Sequence, residues 1–431
     1  MKKIVLKTFV LLPAMVLSVG CADFFNPTIV ENVNGSTPSG FGKIEDGGNP
    51  FPEDFNPNTG DFSEQKMLAN IGLNVVYPKV KRLRLEIESL DFRIGELCEQ
   101  LESGSPSQSA LQAAQVQWKN AMRAFHRASS LPVGPILENN RLALDTLYSW
   151  PSSNACGIDV NVEKSSQSQL KADQLLISAK GLDALEYLLF ESELNSSCNL
   201  GSPLFRKVKA WVAKPELEKR KDRCQYSSMI AKDLITASTW LERAWDPERR
   251  NFSKELYEAK GFGSLSLAVN AVSDGLFAIE EIKDERLGVP LGLAEGCTGL
   301  CPEKVEHLYS QMGYDSIEQR VAGFKEALYG ASNPSVKSFG FDDFLVSKDH
   351  AEVLSTFKEK ISTVEQSLRE ARAEGTLETL VRNSSGCNNS SSTEKVCRLF
   401  WSVKDLSTRL KTDLLSALSL NAPPIYQGDN D

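Results

Sequence analysis

The chain has 431 residues, of which 41% are hydrophobic and 24% charged. That is an ordinary globular mix with ample material for a large core, and it excludes wholesale disorder. Lys and Arg number 48 against 57 Asp and Glu, a net charge of −9, which argues against a nucleic-acid binder with its basic face.

The chain opens with Lys2, Lys3 and Lys7, then an uncharged run from Thr8 to Gly20, then Cys21. A basic start, a short apolar core and a small residue before a cut site predict a signal peptide over residues 1–20. The run is too short to span a bilayer. Leu17-Ser18-Val19-Gly20-Cys21 resembles a bacterial lipobox in which Cys21 is lipidated, and Ala22 after it resembles the outer-membrane sorting pattern. The expected location is therefore a lipid anchor in the outer membrane, facing the periplasm or the cell surface. Residues 21–62 are rich in Gly, Pro, Asn and acids without periodicity, which predicts a flexible tether.

The body reads as helical. Leu83, Ile87, Leu90, Ile94 and Leu97 recur at steps of four and three. Leu354, Phe357, Ile361, Val364 and Leu368 do the same, as do Val396, Leu399, Val403, Leu406 and Leu410. Each is one apolar helix face with charged residues elsewhere. Helical patterns also cover 107–129, 168–190, 203–245, 253–284 and 315–329, and Pro78 is expected to kink the first helix. Strand alternation is absent, so antiparallel bundles are expected. Asp246-Pro247 suggests a boundary that divides the body into 63–248 and 249–431.

With Cys21 set aside, eight cysteines remain, and disulfides are their expected use in an oxidising compartment. Proximity favours Cys297–Cys301 and Cys387–Cys397, which leaves Cys198–Cys224 and Cys98–Cys156. Cys297 and Cys301 are also spaced as half a metal site, but no second Cys or His pair lies nearby.

Lys180 to Phe190 carries the chemistry. At about 100° per residue, Glu186 falls within the apolar stripe of Leu175, Leu182 and Leu189, and Asp183 falls at its edge. A carboxylate aimed into a core must be paired, protonated or cation-bound. Two readings follow: a buried ion pair between Glu186 and Arg123, or a small polar site between helices where Asp183 and Glu186 hold a hard cation such as iron or calcium. Gly181 inside this helix gives up about 1 kcal/mol relative to Ala and leaves room for close approach. Only three histidines occur. His126 reads either as a helix-surface residue or as a site residue, and His307 and His350 read as solvated. Trp118, Trp150 and Trp211 suit either a pocket wall or core. No Gly-x-Ser-x-Gly elbow, His-Glu-x-x-His pair, phosphate loop or dinucleotide fingerprint appears.

The same segment resembles the Gly-x-His-x-x-Glu helix of the imelysin-like family, with Asp183 standing where the family has His. Asn74-Val75-Val76-Tyr77-Pro78, Trp118 to Pro135, Tyr148-Ser149-Trp150-Pro151, Arg286 to Gly292 and Gly340 to Leu345 are similar to further family segments, in the same order. The resemblance implies an all-α fold of two four-helix-bundle-like halves with the motif near their interface. It also implies a periplasmic or surface protein linked to iron acquisition. Gly181 and Glu186 carry over, but the histidine's role does not. The expectation is a non-enzymatic lipoprotein that binds iron or another metal, or an iron-uptake partner. The alternatives are an imelysin-type metallopeptidase and a structural or adhesive surface lipoprotein.

Overall fold

The apolar stripes are buried helix faces in the computed structural model, which describes residues 41–44, 50–104, 108–168, 170 and 174–423. Leu83, Ile87, Leu90 and Ile94 are fully buried along the helix Tyr77–Glu102. Phe357, Ile361 and Val364 are buried along Ala351–Glu374, and Leu399, Val403 and Leu406 along Lys395–Arg409. Each such side chain contributes about 1.5–3 kcal/mol by leaving water. The fold is all-α, and no strand occurs among the described residues.

Tyr77–Glu102 packs along both Gln108–Ala128 and Glu216–Trp245, while Ala351–Glu374 packs along Lys395–Arg409. Gly313–Tyr329 crosses between the two groups by lying against Gln108–Ala128. One continuous apolar core runs through both groups. The crossing contact places side chains from the two halves of the sequence face to face.

Several helices are shorter than the pattern predicts. The 203–245 run divides at Pro215 into Pro203–Val212 and Glu216–Trp245, because proline lacks the N–H that would continue the ladder. The 253–284 run divides where Gly261 and Gly263 take left-handed backbone, leaving Phe252–Tyr257 and Leu265–Leu276. Ahead of Pro78, Ile71–Val76 winds as a wide π turn, and Pro78 occupies the first turn of Tyr77–Glu102, where its missing N–H is tolerated.

The signal peptide and Cys21 lie outside the described residues. Of the stretch expected to be tether, the described part docks on the body. Phe41 packs 5.2 Å from the Trp240 ring, and the Trp240 indole N–H donates to the Gly42 carbonyl at 2.8 Å. Phe51 stacks on Phe55 at 4.1 Å, and both meet Tyr257 edge-on. No described helix is long and apolar enough to cross a membrane.

Four disulfides form: Cys98–Cys224, Cys156–Cys198, Cys297–Cys301 and Cys387–Cys397. The two short pairings agree with proximity, and the two long ones exchange partners. The reason is helix packing: Tyr77–Glu102 lies along Glu216–Trp245, which brings the Cys98 and Cys224 Cα atoms within 5.5 Å.

Candidate functional site

Four side chains from three segments converge where Gln108–Ala128 meets Gly313–Tyr329. His126 points inward from the first helix and is fully buried. It is therefore not the helix-surface residue that was one reading of the sequence. Glu186 comes from the helix Gly181–Phe190, and Glu306 and His307 come from the loop before Gly313. His307 is also buried, contrary to the solvated reading, whereas His350 is partly exposed as expected. The His307 backbone is left-handed at φ +61°, an uncommon conformation for a residue with a Cβ.

The geometry is a chain of short contacts. His126 Nε2 meets His307 Nε2 at 2.8 Å. The other His307 nitrogen, Nδ1, meets Glu186 Oε2 at 3.0 Å. Glu186 Oε1 accepts from the Ser310 N–H at 2.9 Å and from its hydroxyl at 2.8 Å. Beside the pair, Glu306 accepts from the Tyr148 hydroxyl at 3.0 Å and from the Ser316 hydroxyl, and Arg286 Nε lies 3.0 Å away. Arg320 Nη1 donates to Glu281 at 3.0 Å, and Arg286 also reaches that carboxylate.

The electrostatics divide the two imidazoles. Burial holds His126 well below the ordinary histidine range. Burial alone would lower His307 too, but the Glu186 carboxylate, and behind it Glu306, raises it. For Glu306, burial pushes upward and is outweighed by Arg286, the two histidines and Arg320, so the carboxyl stays well below the usual range. A single proton placed between the rings would let His307 donate from Nε2 to His126 Nε2 and from Nδ1 to Glu186. His126 Nδ1 is a buried atom with no hydrogen-bond partner among the described residues.

Asp183 is held apart from this cluster. Its Oδ2 accepts from the Ser149 hydroxyl at 2.6 Å and its Oδ1 from the Ser149 N–H at 3.2 Å. Burial raises its pKa to about 6, against these hydrogen bonds. Gly181 does not lie inside a helix; it opens the helix Gly181–Phe190 at φ +93°. A Cβ there would lie 2.5 Å from Asp183 Oδ1, so the position calls for glycine on both counts. The Trp118 indole N–H fastens the same helix by donating to the Leu182 carbonyl at 2.7 Å.

A cavity of about 480 Å³ reaches Asp183, Glu186 and His307, with Trp150 and Tyr309 among its walls. Trp150 is thus a pocket residue, while Trp118 and Trp211 are core. Arg123 takes no part: its Nε pairs with Asp315 at 2.8 Å. Among the described residues, His126, Glu306 and His307 offer ligand atoms all within 4.8 Å of one another, a grouping that could hold a metal ion, whereas Asp183 is turned to Ser149 and Glu186 to Ser310 and His307. Two imidazoles and a carboxylate suit iron(II) or zinc better than calcium. Glu186 meets the far nitrogen of His307, where it would orient that imidazole toward a metal.

The sequence reading missed Glu306, His307, Tyr148 and Arg286. Tyr148 and Arg286 each sit within a segment noted for other reasons. The only local signal for Glu306 and His307 was their adjacency, five residues past Cys301, in a chain with three histidines.

The family model described as imelysin, peptidase M75, matches residues 86–410. The chain belongs to the imelysin family. No curated protein matches it. Solved structures share the fold, among them these two. An imelysin-like protein from Psychrobacter arcticum 273-4 aligns with a TM-score of 0.57 at 17% identity, covering 84% of this chain and 98% of its own. A protein from Parabacteroides distasonis ATCC 8503, named as an iron-regulated protein A precursor, aligns with a TM-score of 0.59 at 14% identity, covering 82% and 95%. At these identities the likeness to both imelysin-fold structures concerns the fold. The site residues of this imelysin stand on their own geometry.

Proposed function

We propose that this imelysin-family protein is a binding protein for a divalent transition metal, iron(II) foremost, held by His126, Glu306 and His307. One observation carries the reading: two fully buried imidazoles meet nitrogen to nitrogen at 2.8 Å beside a carboxylate, with Glu186 behind one of them. A cation that enters displaces the shared proton and takes its place between the rings. His307 then supplies, from a distant loop, the imidazole that Asp183 does not provide in the motif. The iron-related name of the Parabacteroides distasonis neighbour supports iron as the cargo. On this reading the lipobox at Cys21 anchors the body to the outer membrane, where it serves an iron-uptake partner.

The peptidase alternative needs a carboxylate free to act as base on a metal-bound water. Glu186 is engaged by Ser310 and His307, and Asp183 by Ser149, which favours holding a metal over hydrolysis. The test is elemental analysis of protein purified from its own envelope, beside H126A and H307A. Near-stoichiometric iron in the native protein and none in either variant supports the reading. Equal metal in all three rejects it.

A further inference from the structure

The loop that delivers Glu306 and His307 is closed at two places. At its neck, Arg286 from one end meets Glu306 from the other, Nε to Oε2 at 3.0 Å. At its tip, Cys297 and Cys301 are joined. Cys301 is also tied on both sides by backbone: its N–H donates to the Pro290 carbonyl at 2.8 Å, and its carbonyl accepts from Lys304 N–H at 2.9 Å. The second of these bonds forms the short turn Pro302–Lys304 that leads directly into Val305, Glu306 and His307. Gly292 lies against Gly299 so closely that a Cβ would come within 2.5 Å of the Gly299 carbonyl oxygen. Gly296 and Val305 from this loop line the cavity that reaches His307.

This disulfide differs from the other three in two ways. Each of the others has a buried half, at Cys224, Cys198 or both Cys387 and Cys397, whereas Cys297 and Cys301 are both partly exposed and flank three exposed residues. Its partners are only 4 apart in sequence, against 126, 42 and 10. Closing so short a loop restricts the unfolded chain least, so this bridge adds least to global stability. Its effect is local, on the segment that presents two of the three metal ligands.

We propose that Cys297–Cys301 is a redox lock on the ligand loop, opened by a dithiol reductant, and that opening it releases the bound metal. The release rests on the metal reading above; the loosening of the loop does not. In the reaction one thiolate of the reductant attacks a sulfur of the bridge, and its second thiol resolves the mixed disulfide. Two electrons and two protons pass to the pair, leaving two cysteine thiols and an oxidised, disulfide-form reductant. Cys301 then keeps only its backbone bonds to Pro290 and Lys304, the Pro302–Lys304 turn loses the covalent brace beside it, and Glu306 and His307 hold their spacing to His126 less tightly.

The experiment exposes the full chain to graded dithiothreitol, alkylates it, removes the reductant and maps the labelled cysteines by mass spectrometry. Cys297 and Cys301 are expected to label first, with the other three bridges intact. At that stage iron(II) affinity, measured anaerobically, falls about tenfold or more. The double variant C297S/C301S shows the weakened affinity from the start and no response to reductant. In a metal-free arm, amide hydrogen exchange over 305–310 quickens on reduction. Earlier opening of another bridge, or unchanged exchange over 305–310, overturns the lock. Quickened exchange with unchanged iron affinity overturns the release. If the oxidised protein binds no iron(II) yet exchange quickens, the metal reading falls and the lock on the loop stands.

Discussion

His307 meets Glu186 at 3.0 Å across a sequence separation of 121, joining the motif helix to the loop that carries Glu306 and His307. Because the carboxylate raises the folded-state pKa of the imidazole, the pair stabilises the fold most below the unfolded histidine value of about 6.5. That contribution is lost as pH rises through the raised value. The variant E186Q should therefore lose about 3–5 kcal/mol in mildly acidic solution, with the deficit shrinking toward alkaline pH. Urea unfolding of both proteins across that range checks this; a deficit that grows with pH contradicts it.

Arg286 does the opposite for Glu306. With its pKa held well below the usual range, Glu306 contributes stability that is present above the unfolded carboxyl value and is lost only as pH falls through the depressed folded value. Replacing Arg286 by Met removes the chief cause. The acid-unfolding midpoint of R286M, followed by circular dichroism, should move to higher pH, with a loss of about 3 kcal/mol at neutrality. An unmoved midpoint would show that Arg286 is not what holds Glu306 ionised.

Asp183 carries the reverse linkage from that of Glu306. Its pKa, raised by burial to about 6, means the folded chain holds this proton more tightly than the unfolded one. Stability attributable to Asp183 therefore falls as pH climbs from about 4 to about 6. The variant D183N keeps the shape and removes the charge, so its stability relative to the native protein should improve by about 2–3 kcal/mol between pH 4 and pH 7. Paired denaturation curves at the two pH values decide the sign.

Gly181 offers a geometric test. Alanine there meets both the left-handed backbone and the Asp183 oxygen, and should cost about 1–3 kcal/mol. In a D183A background the oxygen is gone, so the cost should shrink to the backbone part alone. Melting curves of the two single variants and the double variant measure that coupling.

The helical fold was legible because burial follows periodicity: Leu83 through Ile94 and Phe357 through Val364 are local patterns with local consequences. Glu186 was legible as an inward carboxylate for the same reason. Its partner was not, since His307 approaches from 121 residues away on an irregular loop, where no period predicts which side chain turns inward. Arg123 was a reasonable partner by charge, yet its helix face turns it toward Asp315 while His126, three residues on, takes the inward direction. The long disulfides were hidden likewise, because Cys98 and Cys224 become neighbours only once their helices pack.

The most direct measurement is an anaerobic calorimetric titration of the full chain with iron(II), beside H126A, H307A and a calcium control. One iron(II) should bind per native chain, with no binding of calcium and no detectable iron(II) binding by either variant. Stoichiometric iron(II) uptake by both variants, or none by the native protein, would contradict a metal site between His126 and His307.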